Sequence, residues 1–327
     1  MLEHGGRLLR AARTYGIAPA DWLDLSTGIS PFAWPVPPIP AAAWARLPDD
    51  EDGLVEVAQA YYGAPQLLPV AGSQAAIQTL PLLRSASRVG VIAPGYNEHA
   101  HAWRRAGHQV IELAAEELLA RVDDVDVVVL IHPNNPGGDR FDLATSLACH
   151  ARLAARGGWL IVDEAFMDAM PNDSLCPHTA NEGLIVLRSV GKFFGMAGAR
   201  AGFVCANVTL LDAAREQLGP WTVSGPARYV LRHALADLAW HAQARTRLQA
   251  CSARLAQLLT KHDIVPTAGC AFFQWWRSER ANDAHRALAA QGILTRLFDR
   301  PQSLRFGLPE NDAAFKRLDA ALAQCAR

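Results

Sequence analysis

From about residue 44 the chain alternates between two hydrophobic rhythms. Short, densely apolar runs recur at Leu67–Ala71, Arg88–Ala93, Gln109–Leu113, Val125–His132, Trp159–Asp163, Leu184–Arg188 and Ala201–Ala206. Several are nearly unbroken β-branched or aliphatic stretches, the pattern of parallel strands covered on both faces. Stretches with helical spacing lie between them, among them Gln74–Leu83, Glu98–Ala106 and Leu143–Arg156. Strand and helix in alternation predict an α/β sheet. After Gly219-Pro220-Trp221 the rhythm changes. One long helical pattern runs from about 226 to 261, followed by shorter strand patterns at Cys270–Trp276, Ile293–Leu297 and Ser303–Gly307. Before residue 44 a short helix leads through Leu23–Pro31 into prolines 35–40, a density that forces an extended arm. The expected organisation is an arm (1–43) belonging with a small α+β domain (223–327), and a large, mostly parallel domain (44–222).

Composition narrows the function. Half of the 327 residues are apolar and the formal charge is −1, so no basic stripe for nucleic acid is expected. The six cysteines are scattered without a CxxC pair and read as free thiols of a reducing cytosol, neither disulfides nor zinc ligands. Glu3, His4 and Gly5-Gly6 interrupt any secretory leader, and no apolar run reaches membrane-spanning length. A cytoplasmic protein is the expectation.

The candidate chemistry centres on Lys192, in Ser189-Val190-Gly191-Lys192-Phe193-Phe194-Gly195, directly after the apolar run 184–188. Burial of an ammonium lowers its pKa, and a lysine that deprotonates near neutrality can form a Schiff base with an aldehyde. Ser189 and Arg200 flank it with a hydroxyl and a permanent cation, a set suited to an aldehyde cofactor bearing a phosphate, pyridoxal 5′-phosphate (PLP). Three more motifs sit at strand ends, where ligands of open α/β sheets collect. Gly72-Ser73-Gln74 opens a helix, Asn134-Asn135-Pro136-Gly137 ends one strand and Asp163-Glu164-Ala165-Phe166 ends another. Taken singly these read as an N-cap, a turn and a structural ion pair. Their order along one sheet edge supplies phosphate donors, an amide, a carboxylate and an amine together.

With these residues the chain resembles the fold-type I PLP enzymes of the aspartate aminotransferase superfamily, and within it the histidinol-phosphate aminotransferase-like branch. The resemblance implies a PLP-dependent transferase fold, usually dimeric. It implies that Lys192 carries the cofactor's aldehyde carbon, Asp163 pairs with the pyridinium nitrogen and Asn135 donates to the 3-oxygen. Ser73 and the Gln74 backbone, with Ser189 and Arg200, hold the phosphate, and Tyr96 stacks on the ring. Lys192, Asp163 and Tyr96 are the expected catalytic set, and no metal is expected.

Finer features point within the superfamily. Histidinol-phosphate aminotransferases typically read Arg-Tyr-Pro-Asp where this chain has Arg46-Leu47-Pro48-Asp49, and Asp-Glu-Ala-Tyr where it has Phe166. The stretches Asp24–Pro31, Arg188–Gly195, Leu218–Pro226 and Leu304–Pro309 are instead similar to the threonine-phosphate decarboxylases of cobalamin synthesis. That likeness implies a phosphorylated amino acid as substrate, with two acidic groups to bind. Arg305 is the first candidate to hold one. His4, beside Gly5-Gly6, is the second, and Gly28 of the arm is grouped with them. Arg296 and Arg228 are weaker candidates. His99 and His101 are two apart on a helix, a poor metal pair with no function needed, and Glu164 and Trp275-Trp276 read as structural. Two other readings are weighed: an aminotransferase of the same fold acting on an amino-acid phosphate or aromatic amino acid, and a PLP-sensing regulator, for which an arm beginning at residue 4 leaves no DNA-binding domain.

Overall fold

The computed structural model describes residues 4–325, which fall into two compact units. The larger comprises Ala33–Asn135 and Asp139–Gln243; the smaller comprises the described residues of Met1–Phe32, Pro136–Gly138 and Ala244–Arg327. Strand β1 (Leu23–Asp24) belongs to the smaller unit.

The larger unit is built on a seven-stranded sheet of β2 (Leu67–Val70), β3 (Arg88–Ile92), β4 (Gln109–Leu113), β5 (Val127–Ile131), β6 (Trp159–Asp163), β7 (Leu184–Ser189) and β8 (Gly202–Cys205), in the order β2-β8-β7-β6-β5-β3-β4. The four pairings from β4 to β7 are parallel, whereas β8 runs antiparallel to both of its neighbours. Every residue of β5 is at most 1% exposed, which explains its unbroken apolar run: strands covered on both faces need no polar alternation. Helices such as Glu98–Arg105 and Leu143–Ala154 provide that cover.

The long helical pattern is two helices, Gly225–Ala236 and Leu238–Lys261. Asp237 breaks it. Its Oδ1 accepts from the Trp240 backbone N–H at 3.0 Å, capping the second helix, and its Oδ2 accepts from Trp34 Nε1 at 3.1 Å. The compact units divide at 243/244, within the second of these helices, and residues 33–43 fall in the larger unit while the arm through Phe32 falls in the smaller.

In the smaller unit β1 pairs in parallel with β11 (Ile293–Leu294). A four-stranded antiparallel sheet has the order β12-β13-β10-β9, with β9 (Ala268–Cys270), β10 (Phe273–Arg277), β12 (Arg296–Asp299) and β13 (Gln302–Gly307). Trp275 and Trp276 are buried there as core. All six cysteines are free thiols, and no described helix is long and apolar enough to cross a membrane.

Candidate active site

Strand direction gathers the polar residues of the larger unit. The parallel strands β5, β6 and β7 end on one edge, carrying Asn134-Asn135, Asp163 and Ser189 there. Antiparallel β8 begins where those strands end, because Gly202 pairs with both Ser189 and Val70. Arg200, two residues before β8, and Gly72, two after β2, therefore reach the same edge. Gly72 has φ 75° and ψ 159°, a backbone conformation that favours glycine, and without a Cβ there the Arg200 guanidinium lies against this turn, Nη2 being 2.8 Å from where that Cβ would stand. Arg200 itself sits at φ 51°, exposed, with Nη1 donating to the Ala197 carbonyl at 3.2 Å.

Asp163 is 3% exposed. Its Oδ1 accepts from the Ala165 N–H at 3.0 Å, and its Oδ2 accepts from His99 Nε2 at 2.9 Å, which fixes the proton of that buried imidazole on Nε2. Ser189 Oγ accepts from the Gly191 N–H and starts the short turn of helix Val190–Phe193 that carries Lys192. Lys192 is partly buried, its Nζ 5.6 Å from the centre of the Phe166 ring. The Tyr96 hydroxyl donates to Gln74 Oε1 at 3.2 Å, while Gln74 Nε2 donates to Glu98 at 2.9 Å. Burial, reinforced by the charges of Glu98 and Asp163, pushes Tyr96 up to about 12, so the hydroxyl stays protonated at neutral pH. Asn134, fully buried, donates to the Pro94 carbonyl and to Asp139, and its side-chain oxygen accepts from the Asn135 N–H at 2.7 Å.

These groups match the donors and acceptors that PLP requires. Asp163 is a buried carboxylate already loaded with two N–H donors and able to take a third from a ring nitrogen. Arg200 against Gly72, with Ser189 and Ser73 close by in register, forms a cationic, glycine-relieved cradle suited to a phosphate. Lys192 is the lysine among them, an amine suited to an aldehyde.

In the smaller unit Arg305, on β13, is 5% exposed. Its Nη2 donates to the Ser26 carbonyl at 2.8 Å, and its guanidinium lies 4.9 Å from the Phe273 ring. Arg296 stands directly across from it in the β12–β13 ladder. Burial first and Arg296 second push Arg305 down to about 10, still a cation at neutral pH. The arm reaches the same place. Ser26 Oγ accepts from the Gly6 N–H at 2.7 Å, and a Cβ on Gly5 would lie 2.2 Å from the Ser26 carbonyl oxygen. His4 is thereby brought beside Ser26, whose carbonyl Arg305 holds; Gly28, two residues on, is buried.

Two expectations need correction. Arg228 is no anion-site candidate: it is buried and paired with Asp52 at 2.8 Å and Asp50 at 3.2 Å. That partnership spans most of the chain and leaves no local sequence trace. His99 does have a site contact, through Asp163. The usable signal was periodicity, since His99 shares its helix face with Ala102 and Trp103, both buried, whereas His101 is exposed. Glu164 is structural, accepting from Ser174 Oγ, the Leu175 N–H and Arg188.

The fold and this strand-end set define an aminotransferase-type α/β enzyme scaffold. The family model for aminotransferase class I and II matches residues 52–317, and the chain belongs to that family. It is 56% identical to the threonine-phosphate decarboxylase of Pseudomonas aeruginosa over 322 residues, covering 98% of this chain and 97% of that relative. Among solved structures it is similar to histidinol-phosphate aminotransferase from Sinorhizobium meliloti in complex with pyridoxal-5′-phosphate (TM-score 0.82, 19% identity, 100% of this chain and 95% of that one). It is also similar to L-threonine-O-3-phosphate decarboxylase from Porphyromonas gingivalis (TM-score 0.76, 17% identity, 86% and 91% covered). At those identities the structural likeness speaks for the fold alone.

Proposed function

We propose that this protein is a PLP-dependent carboxy-lyase that converts L-threonine O-3-phosphate to (R)-1-amino-2-propanol O-2-phosphate, a building block of cobalamin. The observation that carries this reading is the 56% identity to a threonine-phosphate decarboxylase along 98% of the chain. A family model alone would leave aminotransferase and decarboxylase level.

Bound PLP supplies an aldehyde for the substrate amine and a protonated ring that draws in the electron pair left at Cα when a bond there breaks. In this reading Lys192 would carry the aldehyde carbon at rest and, once released as an ammonium, would be the group placed to return a proton to Cα after carbon dioxide leaves. Asp163 would accept the ring N–H, its negative charge keeping that proton in place, and burial leaves the pair unscreened by water. His99 holds Asp163 in position. Arg200, Ser189, Ser73 and the Gln74 backbone hold the phosphate, Asn135 donates to the 3-oxygen, and Tyr96 covers the ring face. Arg305, with His4 and Gly28 of the arm, binds the acidic groups of the substrate, for which a guanidinium fork is suited. A homodimer in the cytoplasm is part of the same proposal.

Incubation with L-threonine O-3-phosphate tests the reading. Carbon dioxide and an equal amount of the amino-alcohol phosphate are expected with no keto acid added. Conversion of the cofactor to its amine form, reversed by 2-oxoglutarate, would favour the aminotransferase reading instead.

A further inference from the structure

Beneath the strand ends lies a buried charge network that the chemistry above does not use. Arg188 Nη1 donates to Glu164 Oε2 at 2.5 Å, and its Nη2 donates to Asp168 Oδ1 at 2.8 Å, all three side chains being at most 2% exposed. Ser174 Oγ at 2.6 Å and the Leu175 N–H at 2.7 Å complete the Glu164 carboxylate, and the Arg188 guanidinium lies 4.5 Å from the Tyr62 ring. One guanidinium thus pins the residues two before and two after Phe166. Arg188 also belongs to the segment that continues through Ser189 into the Lys192 turn. The network ties the Phe166 loop to the lysine's own strand, and Phe166, 3% exposed, presents its ring 5.6 Å from Lys192 Nζ. A cation within about 6 Å of a ring face is attracted by the ring quadrupole, whereas a neutral amine gains almost nothing.

We infer that Phe166, held by the Arg188–Glu164–Asp168 network, is a positioning residue that keeps the released Lys192 side chain in its ammonium form, ready to donate to the substrate Cα. This rests on the decarboxylase reading. A substrate ammonium that displaces Lys192 gives up two protons and the lysine takes up two, so it leaves charged. When the Cα–carboxylate bond breaks and carbon dioxide departs, the electron pair left at Cα takes a proton from Nζ. The lysine is then a neutral amine, the nucleophile that product release needs. A decarboxylase requires a donor at this point, whereas proton abstraction would require the neutral amine first. The other ionisable groups at these strand ends are Asp163, His99, Tyr96 and Arg200, with Glu164, Asp168 and Arg188 beneath. The ring face is the contribution that Phe166→Leu removes while keeping the site apolar.

The chain has only three lysines, Lys192, Lys261 and Lys316, so the charge state can be read directly. Full-length protein carrying [ε-13C]lysine is loaded with pyridoxamine 5′-phosphate, which leaves Lys192 as a free amine, and the ε-carbon shift is titrated. Lys261→Arg and Lys316→Arg assign the signals. Lys192 is expected to titrate about half a unit or more lower in Phe166→Leu, and within about 0.2 units of wild type in Phe166→Tyr, which keeps the ring. Equal titration in Phe166→Leu and wild type overturns the inference, as does a Phe166→Tyr value that falls with Phe166→Leu. If pyridoxamine 5′-phosphate does not bind, the cofactor reading falls and this inference with it. If it binds and Lys192 ignores the ring, this inference alone falls.

Discussion

His99 donates from Nε2 to Oδ2 of Asp163 across 2.9 Å, with both side chains almost wholly buried. The carboxylate is thereby held in one orientation, with acceptor capacity to spare beyond His99 and the Ala165 N–H. Hydrogen bonds to charged groups are worth about 1.5–3 kcal/mol, so His99→Phe is expected to lower kcat by roughly tenfold to a hundredfold. Steady-state kinetics with L-threonine O-3-phosphate check this. His99→Gln, which can still donate, should recover part of the loss; equal damage in both variants would argue for a packing role.

On the proposed reading Asp163→Ala is expected to cost far more, orders of magnitude in kcat, because a ring nitrogen held there would lose the charge that keeps it protonated and with it the power to draw in the electron pair left at Cα. PLP should still attach at Lys192, so borohydride reduction followed by peptide mapping should label Lys192 in the variant as in the wild type. Loss of labelling together with loss of activity would mean that Asp163 serves the fold instead.

Much of this architecture was legible in the sequence, for one physical reason. The strands of the large sheet are covered on both faces, and their unbroken apolar runs announce them: β5 and β7 lie where the pattern put them. The strand-end motifs were legible too, since the residues that end a parallel strand share an edge. What the sequence hid was non-local. The Asp237 cap looks like any acidic residue within a helix until Trp34 and Trp240 are seen on its two oxygens. Arg228 looked available because its partners, Asp50 and Asp52, lie far away in the chain. Histidine in a helix is ordinarily uninformative, and only the carboxylate that meets His99 gives it meaning.

Arg188→Met should destabilise the fold strongly. It leaves Glu164 and Asp168 as buried carboxylates without their cation, and breaking a buried pair by removing one partner costs about 3–5 kcal/mol. Urea unfolding should show a lower midpoint. Glu164→Gln, which leaves Arg188 paired with Asp168, should cost less. The opposite order would mean that the network is not held by the guanidinium.

His132 sets an acid limit on stability. It is 1% exposed, its Nδ1 accepts from the Phe141 N–H at 3.3 Å, and burial pushes its imidazole down to about 4. The folded value lies below the ordinary 6.5, so between about pH 6.5 and pH 4 the unfolded chain binds the extra proton. The stabilisation is full above about pH 6.5 and is lost as the pH falls through that window, by roughly 3 kcal/mol at most. Urea midpoints measured at pH 7, 5.5 and 4.5 should fall more steeply for wild type than for His132→Gln, which has no proton to take up. Parallel curves would show that other groups govern the acid limb.

Gly5 offers a test of the arm that leaves the cofactor residues untouched. A Cβ at this position would lie 2.2 Å from the Ser26 carbonyl oxygen, a backbone atom that cannot swing aside as a side-chain tip would. Ser26 is itself fixed, its N–H and Oγ both donating to Asp24 Oδ1, and its carbonyl accepts from Arg305. Gly5→Ala must therefore displace the arm, and His4 with it, or shift the Ser26 carbonyl away from Arg305. Either movement degrades the proposed anion-binding residues, which belong to the smaller unit, whereas Lys192, Asp163 and Arg200 belong to the larger one. KM for L-threonine O-3-phosphate is expected to rise about tenfold or more, while the visible absorbance of the bound cofactor stays as in wild type. His4→Ala should raise KM as well, and in the double variant the two effects should combine to less than their product, since both act through one arm. An unchanged KM in Gly5→Ala would remove the arm from substrate binding and leave Arg305 to be explained without it.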